Sequence, residues 1–279
     1  MRNFVDLHTH SAASDGTLPP AEVVWLAERK RLAAVALTDH DTADGLAEAA
    51  RAARPLAVRF IPGIEISAQF TGGALHLVGL GIDPADRGLR AVLGQLMAAR
   101  RQRNPRMIEK LRRLGVDITM AEVRALAGGA VVGRLHMAQV LCRKGRARTV
   151  QEAFGRYLGC GAPAFVDKER LTPRQALEGI HAAGGLGVLA HPPQLNYGNL
   201  AQLERIVRSL VRHGLDGLEV YHPDHTPDQT RWYLDLARRL GLLVAGGSDF
   251  HGAGKPEVRL GRPKVPLAAV EQLLAKLGL

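Results

Sequence analysis

The residues of this chain best suited to chemistry begin in its first ten positions, M-R-N-F-V-D-L-H-T-H. Asp6, His8 and His10 recur with period two among the strand-forming Phe4, Val5 and Leu7. On a strand that alternation turns all three polar groups toward one face. Three such groups at the end of a buried strand cost free energy unless something offsets their burial. A divalent cation held by imidazole nitrogen and carboxylate oxygen would do so. The plainer reading of this stretch alone is two exposed histidines at a frayed terminus. It does not stand alone: Asp15, His40, Glu65, His76, His191, Asp249 and His251 recur through the rest of the chain as further ligand types.

Those residues need elements to position them. L-A-A-V-A-L-T ends in Asp39-His40-Asp41, and V-R-F-I-P-G-I-E-I-S carries Glu65 near its end. A-L-H-L-V-G-L-G-I contains His76, G-L-G-V-L-A-H-P ends in His191, and G-L-D-G-L-E-V-Y-H ends in His222. L-L-V-A-G-G-S-D-F-H ends in Asp249 and His251. With the opening stretch these make seven strand-like segments, alternating with helical ones at 21–31, 42–54, 200–213 and 267–277. Such alternation predicts βαβ units and a parallel sheet. Between about 86 and 162 the pattern turns almost wholly helical. Thr119-x-x-Glu122 and Thr149-x-x-Glu152 mark helix starts there, as Thr172-x-x-Gln175 and Thr226-x-x-Gln229 do later. Candidate ligands at strand carboxyl ends would gather on one rim of an α/β barrel, the face where such folds carry chemistry. His76 lies early in its strand and would have to point into the barrel.

Composition narrows the classes. The 279 residues are 46% hydrophobic and 23% charged, values of a globular domain. Aromatics are only 4%, so the core must be built from Ala, Leu and Val. No apolar run approaches the roughly 20 residues that span a bilayer, and no apolar leader precedes Asp6 and His8. Cys142 and Cys160 suit neither a zinc knuckle nor a disulfide framework. The expectation is therefore a cytoplasmic protein with no membrane partner. Net charge is +10, and the segment from Arg100 to Arg156 holds 14 Lys and Arg against Glu109, Asp117, Glu122 and Glu152. That segment accounts for the whole excess, and its positive field favours a small anionic partner. Solvated arginines on helix faces are the plainer account of part of it.

The motifs D-L-H-T-H, T-D-H-D, G-I-E-I-S, L-H-L-V-G, A-H-P and G-S-D-F-H, in that order, resemble the polymerase-and-histidinol-phosphatase (PHP) family. The resemblance implies a distorted (β/α)7 barrel of the PHP type with an inserted, mostly helical subdomain. The divisions would be 1–99 and 163–279 for the barrel and 100–162 for an arginine-rich cap. It further implies three divalent metal ions, manganese first, with iron or zinc as alternatives. One would be held by His8, His10, Glu65 and Asp249. A second would share Glu65 and add His76 and His191, and the third would use Asp15, His40 and His251. T-D-H-D-T, the arginine-rich insert, G-R-L-H and E-V-Y-H-P look most like bacterial 3′,5′-nucleoside bisphosphate phosphatases and the related short-RNA 5′→3′ exoribonucleases. Leu135 stands where such proteins commonly have proline, which leaves Arg134 and His136 in place but alters the loop.

These residues fit phosphoester hydrolysis. Metal coordination lowers the pKa of water toward ~7, giving a hydroxide that attacks phosphorus in line. Arg134 would stabilise charge on the non-bridging oxygens through its planar fork. His222 would bind phosphate or protonate the leaving oxygen, and His136 joins the substrate contacts. Arg103 and Asn104 open an inserted helix where the family recognises a 5′ phosphate, against the alternative of solvated helix-face residues. Asp6 is read as orienting a ligand histidine, with a carboxylate bonded to backbone as the alternative. His225 is a bystander, His181 and His213 are surface or core histidines, and Cys142 is a small core residue. Gly128-Gly129 and Gly184-Gly185 read as helix stops.

Three rivals remain at this point. An amidohydrolase shares H-x-H on its first strand but often bridges its metals with a modified lysine, and none of the seven lysines here falls at a strand end. Histidinol phosphate phosphatase needs one anion site, which leaves the cationic insert without a purpose. A nucleic-acid-binding module with a structural metal would need a closed site; no stable complex with long nucleic acid is expected.

Overall fold

In the computed structural model, which describes residues 2–127 and 131–279, the short apolar runs become one eight-stranded sheet. The strands are β1 (Phe4–Asp6), β2 (Ala34–Leu37), β3 (Arg59–Ala68), β4 (Leu75–Leu80), β5 (Leu186–Leu189), β6 (Gly217–Tyr221), β7 (Leu243–Gly246) and β8 (Val265–Pro266). Their order is β7-β6-β5-β4-β3-β2-β1-β8. The sheet closes beyond the ends of β7 and β1, where Leu7 N–H donates to Gly246 O (3.1 Å), Asp249 N–H to His8 O (2.9 Å) and His10 N–H to Phe250 O (2.9 Å). Seven strands thus make the barrel, as expected. The eighth, two residues long, adds antiparallel to the start of β1.

Within the seven-stranded barrel one strand departs from the expected parallel sheet. β4 pairs antiparallel with both β3 and β5, in register Ser67↔His76 and Leu77↔Leu189. Only residues 69–74 join β3 to β4, and a parallel return needs a crossover of a dozen or more residues. A hairpin is the only connection that length allows. Reversal also moves His76: the beginning of β4 lies at the rim where the other strands end. The side chain therefore reaches that rim directly, on the same face as Val78 of the inner layer, so it points into the barrel as expected while its early position in the strand puts it at the rim and not below it.

Alternation along the strands fills two layers. Val5, Leu7, Ala34, Ala36, Ile61, Val78, Val188, Ala190 and Ala245 form one buried cluster, closed over by Leu273 and Leu274 of α10 (Glu271–Lys276). Val35, Leu37, Ile64, Ile66, Leu77, Leu189 and Leu218 face the other way into a larger cluster shared with the outer helices. These include α1 (Pro20–Arg29), α2 (Leu46–Ala53), α7 (Pro173–Ala182), α8 (Leu200–Val211) and α9 (Pro227–Leu240). Small alanines suit the narrow inner layer. The capping boxes at Thr172/Gln175 and Thr226/Gln229 open α7 and α9, each with proline at its first turn. Gly184 at φ +78° follows the end of α7, as a helix stop should. Gly128-Gly129 lies outside the described residues.

The insert is built on α3 (Arg87–Arg113), one continuous helix with Pro105 inside it. Leu89, Leu93 and Leu96 pack on the barrel layer, whereas Met107, Ile108 and Leu111 enter a separate cluster. That second core is completed by α4 (Met120–Ala127), α5 (Arg134–Arg143), α6 (Val150–Ala153) and a π-helical turn, Phe154–Leu158. Arg103 and Asn104 therefore sit midway along a helix, not at its opening. Cys142 is half-buried at the edge of this core. No helix among the described residues is long and apolar enough to cross a membrane.

Candidate metal centre

All nine predicted ligands meet at one rim of the barrel. Glu65, fully buried near the end of β3, is the hub. Its Oε1 lies 2.9 Å from His76 Nδ1 and 3.0 Å from His191 Nε2. Its Oε2 lies 3.4 Å from His8 Nε2, 3.3 Å from His10 Nε2 and 3.0 Å from His40 Nδ1. Asp249 Oδ1 is 3.1 Å from His10 Nε2 and 3.6 Å from His8 Nε2. Asp15 faces His251 Nε2 at 3.3 Å and His40 Nε2 at 3.9 Å. Two donors each about 2.1 Å from one ion stand about 3.0–3.4 Å apart at octahedral or tetrahedral angles, so these separations fit shared cations.

Unpaired atoms point the same way. Nine buried side-chain nitrogens and oxygens among the described residues have no hydrogen-bond partner, and seven lie here: His8 Nε2, His10 Nδ1 and Nε2, His40 Nδ1, Glu65 Oε2, His191 Nδ1 and His222 Nε2. Burial without a partner costs about 1–3 kcal/mol per polar group, which cations would relieve. Burial draws His10 down to about 3 and His76 to about 4, leaving rings that are neutral and free to ligate. His8 and His40 go the other way against burial: Glu219 and Glu65 hold His8 well up, and Glu65 with Asp15 holds His40 at about 9. A ligating ring must give up that proton, so metal uptake at these two rings would release protons.

The backbone makes room for this convergence. His191 (φ 25°) and Asp249 (φ 54°) both lie in the left-handed region that non-glycine residues avoid. A Cβ on Gly247 would stand 2.4 Å from His8 N, so only glycine lets the end of β7 approach β1.

Asp6 does not orient an imidazole. Its carboxylate accepts from Ser248 N (2.8 Å), Ser248 Oγ (2.6 Å), Gly261 N (2.7 Å) and, at 3.4 Å, His8 N. The alternative, a strand-end carboxylate bonded to backbone, is the one found. The orienting role passes to Glu219 of β6, the acidic residue of the E-V-Y-H-P motif, to which sequence reasoning gives no role. Its Oε1 lies 2.9 Å from His8 Nδ1, and its Oε2 accepts from His191 N at 2.6 Å. A carboxylate inside a buried apolar strand was the available signal. Glu219→Gln is expected to weaken metal binding by roughly 10–100-fold. Titration of metal-free protein measures this, and unchanged affinity would refute an orienting role.

Two more buried carboxylates brace the loops. Asp39 accepts from Ser11 N (2.8 Å), Ser11 Oγ (2.6 Å) and Ser14 Oγ (2.5 Å), fixing the turn that presents Asp15. Asp41 Oδ2 accepts from Arg100 Nε at 2.9 Å and from Lys168 Nζ at 2.8 Å.

The insert brings cations toward this rim. Gly133, at the start of α5, is flanked by Arg100 Nη1 and Asp15 Oδ2, 3.8 and 3.9 Å from where its Cβ would be. Next to it, Arg134 lies between the Phe154 and Phe165 rings (5.5 and 5.6 Å) and donates to Leu158 O at 3.3 Å. His136 Nδ1 accepts from Gly133 N at 3.0 Å, so α5 forms its turn with Leu135 buried in the proline position. Arg103 donates to Asn104 Oδ1 (2.8 Å), Asn104 donates to Val132 O (2.9 Å), and Arg103 Nη2 is buried without a partner. Burial, Arg100, Arg134 and Arg170 pull Arg103 down to about 9; burial, Arg170 and Arg100 pull Arg134 down to about 10. Lys168 falls to about 8 through burial and Arg100, against the pull of Asp41. Crowded cations of this kind suit an anion. Arg170 and Lys168 were not singled out in the sequence, because they enter from the chain's return to the barrel.

His222 stands beside the centre, its Nε2 3.8 Å from Asp249 Oδ2. His225 Nδ1 binds Val220 O at 2.9 Å, and His181 pairs with Asp216 at 2.8 Å, away from the ligands. Among the described residues one lysine does pair with a ligand carboxylate: Lys255 Nζ lies 2.6 Å from Asp249 Oδ2. It does not take the hub position, which Glu65 holds.

A family model of the PHP domain matches residues 6–166. The chain is 35% identical over 259 residues to a 3′,5′-nucleoside bisphosphate phosphatase of Chromobacterium violaceum, covering 90% of this chain and 88% of that one. It is 37% identical over 251 residues to a 5′-3′ exoribonuclease of Haemophilus influenzae, covering 90% and 91%. A solved structure from Bifidobacterium adolescentis, described as a metal-dependent phosphoesterase, superposes with a TM-score of 0.88 at 32% identity, over 98% of this chain and 96% of that one.

Proposed function

Because this chain belongs to the PHP-domain family and is a metal-dependent phosphoesterase, we infer that it hydrolyses the 3′-phosphate ester of nucleoside 3′,5′-bisphosphates, with short 5′-phosphorylated RNA as a second substrate class. The observation that carries this reading is the pairing of two sites. A histidine–carboxylate centre that fits cations lies next to crowded arginines that fit a second phosphate.

His8, His10, Glu65 and Asp249, then Glu65, His76 and His191, then Asp15, His40 and His251 would hold three ions. Nitrogen and oxygen donors accept manganese, iron or zinc, and manganese is our first assignment. Bound there, divalent ions supply the acidity that turns water into a nucleophile and neutralise the phosphoryl oxygens. The chain's own residues do the rest. His222 Nδ1 accepts from Asp224 N at 3.1 Å, which places the ring proton on Nε2, the nitrogen facing Asp249. From there it can donate to phosphate or to the leaving 3′ oxygen. Arg103, Asn104, Arg134 and His136 form the cradle for the second phosphate, in an inserted subdomain spanning about 100–162. A nucleotide substrate and free Cys142 and Cys160 suit the cytoplasm.

The test is metal-loaded protein assayed against adenosine 3′,5′-bisphosphate, 3′-AMP, 5′-AMP, histidinol phosphate and a short 5′-phosphorylated RNA. The first and last should be preferred by at least about tenfold, with salt dependence corresponding to about two or three phosphates. Equal rates on all five would remove the specificity. A steep salt slope without turnover would favour a nucleic-acid-binding module.

A further inference from the structure

Asp249 carries one negative charge and faces two demands for it. Its Oδ1 looks toward His10 and His8, at 3.1 and 3.6 Å, where a cation fits. Its Oδ2 is held by Lys255 Nζ at 2.6 Å. The other two carboxylates of the centre differ: among the described residues Glu65 and Asp15 form ion pairs with histidines alone. One of three acidic ligands therefore has a permanent cationic partner.

The lysine is placed, not drifting. Ala253 N–H donates to Thr17 Oγ1 (2.8 Å) and Thr17 N–H to His251 O (3.1 Å), pinning the turn Gly252–Gly254 against the loop that carries Asp15. Gly252 adopts φ +64°, and a Cβ there would stand 2.2 Å from Thr17 Oγ1. Lys255 N–H and Gly254 N–H close the turn onto Gly252 O and His251 O, both at 3.3 Å. The side chain leaves this turn directly toward Asp249, and its ammonium meets the Oδ2 of that buried carboxylate.

We propose that Lys255 is a resident counter-cation of the metal centre, competing for Asp249 with the ion at His8, His10 and Asp249 and making it the most readily exchanged. This rests on the metal-centre reading above. An ammonium and a dication on opposite oxygens of one carboxylate repel across a short, poorly screened path. The carboxylate charge that Lys255 neutralises is charge withheld from the ion. In metal-free protein the same contact keeps a buried carboxylate paired.

The test is equilibrium binding of Mn²⁺ to chelator-stripped protein, reading free ion by its electron paramagnetic resonance signal. Wild type is compared with Lys255→Met, which keeps the stem and loses the charge, and Lys255→Arg, which keeps the charge. The weakest binding step should tighten by about tenfold or more in Lys255→Met and stay within about twofold of wild type in Lys255→Arg. Unchanged or weaker binding in Lys255→Met, with wild type binding normally, overturns this inference alone. Wild type that takes up no divalent ion overturns the metal-centre reading together with it.

Discussion

Glu65→Gln is expected to lower kcat by at least about 10³-fold and to remove most of the bound metal. Among the described residues no other side chain at the rim has as many partners this close: five imidazole nitrogens lie within 3.4 Å of its two oxygens. Burial would push its carboxyl up, yet His40, His76 and His8 hold it well below the usual carboxylate range. It is therefore ionised at any working pH, and that charge is what shared cations would use. Glutamine keeps the shape and removes the charge, so any loss is electrostatic and not steric. Metal content by elemental analysis, alongside kcat, is the measurement. A variant retaining its full complement of metal and a rate within tenfold of wild type would refute Glu65 as the shared ligand.

How much of this could be read beforehand depended on whether local pattern carried the information. His8, His10, His40, His191, Asp249 and His251 follow short apolar runs, and period-two and strand-end reasoning place such residues on one rim. His76 reads as a ligand type that faces the barrel, but its place at the rim is not legible, because strand–helix alternation elsewhere hides a six-residue connection too short for a parallel return. Asp6 shares the alternation of His8 and His10, yet its partner Ser248 is 242 residues away, and no local rule joins them. Glu219 was visible only as an unexplained carboxylate. Lys255 was invisible, since a glycine-rich turn, and not a strand, delivers it. The cationic insert was legible as charge. Which arginines converge was not, because Arg103 from α3, Arg134 from α5 and Arg170 from the return segment meet only through tertiary packing.

That convergence carries the second large effect. Arg134→Ala is expected to lower kcat/KM for adenosine 3′,5′-bisphosphate by about 10²–10³-fold, while 3′-AMP loses less than about tenfold and His213→Ala changes neither appreciably. Charge-assisted bonds contribute about 1.5–3 kcal/mol each, and a guanidinium can give two to one phosphate. The stronger charges acting on Arg134 are Arg170 and Arg100, not the carboxylates of the centre. On the proposed reading it would therefore serve the second phosphate as well as the charge on the reacting one. A pH experiment checks the same cluster. Burial and Arg100 depress Lys168 to about 8 from its ordinary 10.5, so its positive charge is present below pH 8 and lost first as pH rises through it. Preference for bisphosphate over 3′-AMP should begin to fall around pH 8, ahead of Arg103 at about 9 and Arg134 at about 10. An equal loss on both substrates in Arg134→Ala would instead move that guanidinium to the phosphate being cleaved. A preference flat through pH 9 would show that the charge of Lys168 takes no part in holding the second phosphate.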